Sequence, residues 1–353
     1  MSQAQDFESA TKDADQNVAH FEERKSPLAR LQHVLHSNPA LVPLIVLVAL
    51  IAFFGIFAGE RFFRAYTLTL VLQQVAVVGI LAAAQTLVVL TAGIDLAIGV
   101  IMVFSFVIMG NMVVAYGMPA GVALLAGFLM AAACGFANGT LVARLKLPPF
   151  IVTLGTWNII MAVCLIYSQN ATMREADVTA ATQWLHVFAI NFRIGPAVVT
   201  LGVVAMIVLY VVLWFMLNHT AFGRHIYAVG DDPDAAELAG ISTKKVLVAV
   251  YTLAGVIAGL AAWVSIGRNG SISPSTVVTD FNLQAITATV IGGISLFGGR
   301  GSILGVLFGT LIVGIMSMGL NMMNADPQWK VLLTGMLIIA AVAVDQWIRK
   351  VSA

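Results

Sequence analysis

Hydrogen-bonding side chains inside otherwise apolar segments are the residues of this chain that could handle a passing molecule. Hydroxyl and amide groups suit a neutral polyhydroxylated solute, and an aromatic ring can cover the apolar face of a sugar. The side chains that we expect along such a path are Gln73, Gln74, Asp95, Asn138, Thr153, Thr156, Trp157, Asn158, Gln284 and Thr287. Each of them could instead hydrogen-bond between packed helices, so both roles stay open.

Asp95 is the one acid within a plausibly intramembrane motif, the GIDLAIG of residues 93–99. Its carboxylate could carry protons, or it could cap the helix that follows by accepting from backbone N–H groups. Capping is the expected role, because a single acid makes a poor proton relay. An ion-coupled secondary transporter or facilitator of a neutral polar solute therefore remains only as the alternative hypothesis.

The apolar segments of the sequence contain no group of His, Asp and Ser residues, and no set of metal ligands, of the kind that forms a catalytic site. Cys134 and Cys164 have no CxxC spacing and no neighbouring His pair, so we expect no metal site, no cofactor and no catalytic residue. The phosphate-binding pattern GxxxxGK[ST] is also missing, because its nearest approach, at residues 293–298, lacks the lysine. Any ATP hydrolysis must take place on another chain.

A short polar helix interrupts the apolar pattern in the stretch GRHIYAVGDDPDAAELAGISTKK of residues 223–245. Asp232 can cap it, Pro233 fits its first position, and Gly240 can close it in a left-handed conformation. A helix of about seven residues is marginal in water, so it needs a surface to pack on. That surface is either the protein's own bundle or another protein.

The elements that must position these residues are membrane-spanning helices. The chain has 353 residues, of which 60% are hydrophobic and 10% charged, and its mean hydropathy is +0.95. Apolar windows long enough to cross the bilayer indicate an all-α, polytopic bundle of about 10 transmembrane helices. The windows lie at 41–59, 72–92, 99–116, 119–143, 150–168, 196–217, 246–266, 281–298, 302–323 and 329–347. The motif at 93–99 could form a loop or a re-entrant break at membrane depth.

Positive charge predicts the orientation of the bundle. With both termini cytoplasmic, twelve Lys and Arg residues lie inside and six outside. We expect residues 1–40 to form a cytoplasmic tail with a short amphipathic helix that starts near Ser26, and residues 41–348 to form the membrane domain. Residues 218–245 would then be the longest cytoplasmic loop. The net charge of +1 gives no hint of nucleic acid as a partner, and the apolar spans make membrane lipid the expected surrounding.

Two weakly repeated halves are visible in the sequence. GIDLAIG at 93–99 resembles GISLFGG at 293–299, and GFANGTLV at 135–142 resembles GVLFGTLI at 305–312. Repeated halves are common in transporters, with the substrate path at their interface. The distance along the chain between the first and the second motif differs in the two halves, so the sequence does not define how the halves are related by symmetry.

Several motifs, in the same order, resemble those of one family. The stretch from Asp234 to Gly240 is similar to the cytoplasmic coupling loop of ATP-binding-cassette (ABC) importer permeases. GIDLAIG, LPPFIVTLGT and VIGGISLFGGRGS resemble the signatures of the ribose-, xylose- and fructose-type, ten-span sugar permeases of bacteria. The segment DPQWKVLL and the terminal segment DQWIRKVSA are most similar to the corresponding sequences of fructose-importing members. The sequence departs from the motifs of this family at two positions. Ala97 stands where Ser is usual, and Asp234 stands where Glu is usual.

The resemblance implies a transport subunit, not an enzyme, that moves a monosaccharide across the bacterial inner membrane. It implies three protein partners: an ABC ATPase subunit, a periplasmic sugar-binding protein and a second permease chain, most simply a second copy. It assigns coupling to the ATPase to Arg224, Asp232, Pro233, Asp234, Ala235, Ala236, Glu237 and Gly240.

Overall fold

The computed structural model describes residues 40–274 and 278–349. The tail predicted for residues 1–40, with its amphipathic helix, lies outside the described residues except for Ala40. Within the described part the chain is built from helices and one small hairpin. The mostly helical, polytopic architecture predicted from the apolar windows is confirmed.

The helices follow one another with short connections. They are α1 (Leu41–Ala58), α2 (Ala65–Leu90), α3 (Ile98–Val114), α4 (Ala120–Leu145), α5 (Pro149–Ser168), α6 (Glu175–Ala181), α7 (Leu201–His219), α8 (Ala221–Asp231), α9 (Pro233–Leu238), α10 (Thr243–Asn269), α11 (Val278–Ile291), α12 (Ile303–Met322) and α13 (Pro327–Arg349). Two 3₁₀ turns cover Gly59–Arg61 and Trp184–Ala189. Strands β1 (Asn191–Ile194) and β2 (Ala197–Thr200) pair antiparallel, with Asn191 opposite Thr200.

Eight helices of the described part are long and apolar enough to cross a membrane, and α3 and the segment Phe281–Ile291 of α11 are shorter apolar helices. Most predicted windows match a helix to within a few residues. The window at 281–298 is wrong at its end, because α11 stops at Ile291. Gly293, at φ +80°, turns the chain there in a conformation that glycine adopts readily.

Helix α2 forms the centre of the bundle, since every residue from 75 to 90 is buried. Helix α10 packs mainly on α4 and also on α2 and α3, whereas α12 packs on α11, α2 and α1. Helices α4, α5 and α13 expose most of their apolar side chains. An apolar surface of this extent suits lipid or a second protein.

The bundle has two ends that matter for function. Helix α10 begins directly after α9, and α2 ends where the backbone N–H of Gly299 donates to the Leu90 carbonyl (2.9 Å). At its other end α2 meets the hairpin, because the Val198 N–H donates to Thr69 Oγ1 (3.0 Å). We call these the α9 end and the hairpin end. A helix of 26 residues, such as α2, separates them by about 40 Å.

Candidate functional site

Helix α9 has the local structure that the sequence predicts. Asp232 Oδ1 accepts from the backbone N–H groups of Asp234 (2.9 Å) and Ala235 (3.0 Å), and Pro233 occupies the first helical turn. The backbone turns out of the helix at Gly240, whose φ is +85°. The predicted cap and the left-handed closure are therefore confirmed.

The loop around α9 contains a second helix that we did not predict. Helix α8 begins after Thr220, whose Oγ1 accepts from the Gly223 N–H (3.2 Å), and it buries Ile226, Val229 and Gly230 along one face. The expectation of a single short helix in residues 218–245 is wrong. Two glycines, at 223 and 230, lower the helix propensity of α8, and tertiary packing overrides that preference.

Most of α9 is presented to the surroundings. Ala236 is buried and holds the helix to the bundle, while Asp232, Pro233, Asp234, Ala235, Glu237 and Gly240 are exposed, as is Arg224 of α8. Leu238 is 91% exposed at the end of the helix. A single exposed leucine is ordinary at a protein surface, so the position of Leu238 at the exposed end of a capped helix, and not its exposure alone, makes it a candidate contact for a partner. Leu238 is not among the coupling residues predicted from the sequence, although a leucine in a short polar helix is visible there.

Helix α8 is fixed to the glycine-rich segment that follows α11. The Tyr227 hydroxyl donates to the carbonyl of Gly301 (3.0 Å). Gly230 lies against the backbone of Leu90 and Gly299, and a β-carbon on Gly230 would overlap the Leu90 carbonyl oxygen and stand 2.6 Å from the Gly299 nitrogen. We call this contact of three backbones the glycine junction.

The two halves of the sequence repeat meet at the glycine junction. Residues 91–97 and residues 292–302 are both non-helical, and each follows an apolar helix and precedes another. They touch where a β-carbon on Gly298 would stand 2.8 Å from the Ala92 nitrogen. The two similar motifs thus form two breaks that contact each other, and the second of them also contacts α8.

The first of these breaks is held in place by its own Asp95 and by side chains from three helices, α2, α5 and α11. Asp95 Oδ1 accepts from the Ala97 N–H (2.7 Å), and Thr153 of α5 donates to the Ile94 carbonyl (3.0 Å). Gln85 of α2 pairs with the backbone of Asp95 when its amide nitrogen faces the carbonyl, at 3.0 and 3.2 Å. Asp95 therefore bonds to the backbone at the start of α3, as the capping hypothesis expects.

Asn282 of α11 caps α3 from a distance in sequence. Its Nδ2 donates to the Leu96 carbonyl (2.6 Å), and its Oδ1 accepts from the Gly99 N–H (2.5 Å). These bonds satisfy backbone groups that the break leaves free inside the bundle. No local pattern reveals this role, because the partners are more than 180 residues apart.

The other residues expected along a path are dispersed. Gln74 Nε2 donates to Ser317 Oγ of α12 (3.2 Å), which is a packing contact between helices. Asn138 and Thr287 are fully buried, and their polar side-chain atoms find no partner within the described residues.

Three path residues follow one another on α5. Thr156, Trp157 and Asn158 are partly or fully exposed there, and Gln284 is partly exposed on α11. Gln73 lines a cavity at the hairpin end. The chain therefore does not bring all the expected path residues to a single site, although Asp95 and Thr153 both bond to the backbone of the break at residues 91–97.

Known proteins resemble the chain over almost its whole length. A family profile described as branched-chain amino acid transport system / permease component matches residues 67–342. The fructose import permease protein FrcC of Rhizobium meliloti is 57% identical over 99% of this chain and 97% of that protein. No solved structure matches the chain.

Two relatives from Escherichia coli K12 are more distant. The ribose import permease protein RbsC is 34% identical over 88% of this chain and 94% of that protein. The D-allose transport system permease protein AlsC is 33% identical over 86% of this chain and 91% of that protein. These matches confirm the resemblance carried by the sequence motifs. The chain belongs to the branched-chain amino acid transport system / permease component family, as the multi-pass, non-enzymatic permease subunit of an ABC importer.

Proposed function

We propose that this permease carries a neutral monosaccharide, fructose in the first place, across the bacterial inner membrane. The relative named a fructose import permease shares 57% of its residues over nearly the full length, whereas the ribose and allose relatives share about a third. Among the buried residues that the structure describes, neutral hydroxyl and amide side chains outnumber charged ones, so no buried cluster of charges favours a charged cargo.

The observation that carries the proposal is the exposed helix α9, capped at both ends and anchored to the bundle through Ala236 and α8. An ABC permease hydrolyses no ATP itself and must receive movement from an ATPase subunit. Leu238 would fill an apolar pocket of that subunit, and Asp234 and Glu237 would face basic residues at its rim. Arg224 lies on the neighbouring helix and would extend the same contact.

Movement of α9 would reach the membrane through the glycine junction. Helix α8 cannot shift without displacing Leu90 at the end of α2 and residues 298–301 before α12, because their backbones are in contact at Gly230. Tightly packed contacts of this kind move as a unit. The two breaks would therefore change position together when the ATPase subunits close.

The orientation follows from charge. With residues 1–40 and the C-terminus in the cytoplasm, the α9 end faces the cytoplasm with Lys244 and Lys245 exposed beside it. The hairpin end then faces the periplasm. Residues 169–200, which contain α6, a 3₁₀ turn and the hairpin, would be the surface that receives a periplasmic sugar-binding protein.

The path for the sugar would lie between two copies of the chain. Asn158 is exposed on α5, and among the described residues its amide bonds only to the Leu154 carbonyl of its own helix (2.9 Å). Exposed polar groups on a spanning helix are unfavourable against lipid and point to a protein or water-filled surface. We therefore place a second copy against α5, with Thr156, Trp157 and Asn158 beside the path.

An ion-coupled transporter remains the second hypothesis, and Asp95 is the residue on which it would depend. The Asp95 carboxylate is occupied by the start of α3, so it is engaged in holding the backbone. Proteoliposomes that contain the permease, its ATPase and its binding protein provide the test. We expect uptake of labelled fructose to require ATP and the binding protein. Accumulation by the permease alone on an ion gradient would overturn the proposal.

A further inference from the structure

A cavity of about 210 Å³ lies at the hairpin end, between α2, α7 and α10 and beneath the 3₁₀ turn Trp184–Ala189. Four polar side chains line it: Gln73, Asn191, Thr200 and Arg268. Gln73 lies about two helical turns into α2, so the cavity reaches below the surface of the bundle. We call it the hairpin-end cavity.

The four polar side chains of the hairpin-end cavity are unpaired within the described part of the chain. No hydrogen bond or ion pair engages the side chains of Gln73, Asn191, Thr200 or Arg268 there. Together they offer two amides, a hydroxyl and a guanidinium, which means several donors and several acceptors that converge on one space. Asn191 and Arg268 are exposed and Gln73 and Thr200 are half-buried, so water can solvate them in the absence of a ligand. A concave space with a few polar side chains around it is the usual form of a site for a small molecule.

An aromatic wall closes one side of the cavity. Phe188 lines it and meets the ring of Trp263 edge to face, with ring centroids 4.8 Å apart. The Trp263 indole N–H donates to the Trp184 carbonyl (3.3 Å), so the 3₁₀ turn is tied to α10. A fixed aromatic ring opposite amides is suited to the apolar face of a sugar ring.

A wider groove connects the cavity to the surface. This groove, of about 680 Å³, shares Ala189, Gly267 and Arg268 with the cavity and is also lined by Trp184 and His186. A molecule released at the hairpin end could therefore move along the groove and past Arg268 to reach Gln73. The two spaces together form an access route and an inner chamber.

We propose that the hairpin-end cavity is a binding site for a single neutral sugar ring, where the permease receives its cargo before translocation. Its volume lies below the ~300–1,000 Å³ of pockets that hold drug-sized ligands, so one sugar ring fits better than a disaccharide. No carboxylate of the described residues lines the cavity, which disfavours a cation. This inference rests on the proposed import of a monosaccharide and adds the place on this chain that binds it.

Equilibrium binding of tritiated D-fructose to the purified permease in lipid nanodiscs tests the site, with unlabelled D-ribose, sucrose and sulfate as competitors. We expect saturable binding that D-ribose reduces and sucrose does not. Gln73→Leu and Asn191→Ala should each weaken fructose binding about five- to tenfold, the effect of losing one hydrogen bond of about 1 kcal/mol or slightly more. Asn191 is exposed on β1, so its replacement does not threaten folding.

Asn218→Ala is the matched control, because Asn218 lies at the far end of α7 and its amide donates to the Trp214 carbonyl of the same helix. Binding by this variant should equal that of the unchanged protein. Equal loss in Asn218→Ala and Asn191→Ala, competition by sulfate but not by sugars, or no binding would each overturn the site. If ATP-driven fructose uptake persists in those cases, the proposed function stands while this inference fails.

Discussion

Gly230 of α8 lies so close to the carbonyl oxygen of Leu90 that no β-carbon fits between them. This contact joins the helix that precedes α9 to the end of the most buried helix of the bundle. Gly299, from the second repeated motif, completes the junction by donating its N–H to the same carbonyl (2.9 Å). A surface helix is thereby linked, without intervening side chains, to both breaks of the membrane domain.

The exposed side chain of Leu238 should contribute to the affinity of the ATPase subunit for the permease. Leu238→Ser should weaken its association by about tenfold or more, because burying a leucine contributes about 1.5–3 kcal/mol. Co-purification of the ATPase with the permease, over a range of ATPase concentrations, measures this. Leu125→Ser is the control, since Leu125 is 60% exposed on α4, away from α9. Equal association of both variants would remove Leu238 from the interface.

Because Gly240 has a positive φ, a branched side chain at this position should impair the coupling of transport to ATP hydrolysis. Gly240→Val should strain the turn by about 1–2 kcal/mol and shift α9, so that transport is uncoupled from ATP hydrolysis while the spans stay folded. Gly240→Asn should retain most activity, because asparagine tolerates this conformation. The ratio of fructose taken up to ATP hydrolysed in proteoliposomes measures the effect. Undiminished uptake by Gly240→Val would count against the role of α9.

The Tyr227 hydroxyl predicts a smaller effect on the same ratio. Tyr227→Phe removes one hydrogen bond to Gly301, worth about 1 kcal/mol, and should lower uptake per ATP about fivefold. Tyr66→Phe is the control, because Tyr66 is 70% exposed on α2 at the hairpin end. If both variants transport equally well, the bond between α8 and the second break has no part in coupling.

Asn282 predicts a loss of stability. Asn282→Ala leaves the Leu96 carbonyl and the Gly99 N–H without a partner inside the bundle, at a cost of about 1–3 kcal/mol for each. The thermal unfolding midpoint of the purified permease should fall by a few degrees. Asn282→Asp keeps the acceptor for Gly99 but turns a buried carboxylate oxygen toward the Leu96 carbonyl, so its midpoint should fall at least as far. An unchanged midpoint in Asn282→Ala would show that the cap is not needed.

Local patterns in the sequence predict much of this architecture. Apolar windows locate the helices because lipid requires about 20 consecutive apolar residues in each span. Asp232, Pro233 and Gly240 predict the limits of α9 because caps act through the nearest backbone groups. Contacts between residues far apart in the sequence leave no such local pattern. The hydrogen bonds from Asn282 to the start of α3 and the contact of Gly230 with the Leu90 carbonyl are of this kind.

The path residues show the same limit. Gln74, Thr153 and Asn158 have similar settings in the sequence, since each is a polar residue in an apolar helix. The fold gives them different neighbours: Ser317 of α12, the break at Ile94, and the exposed face of α5. Residue type indicates a neutral cargo, but only the arrangement of helices separates packing from lining.

The transport-to-hydrolysis ratio of Gly230→Val tests the role of the glycine junction most directly. Fructose uptake and ATP hydrolysis are measured in the same proteoliposomes, which contain the complete transporter. The control variant is Gly335→Val on α13, where a β-carbon meets nothing within 4 Å. We predict that Gly230→Val keeps hydrolysing ATP while its uptake falls about tenfold or more, from an overpacking cost of about 1–3 kcal/mol. Uptake and hydrolysis that change in equal proportion, or not at all, would contradict coupling through this junction.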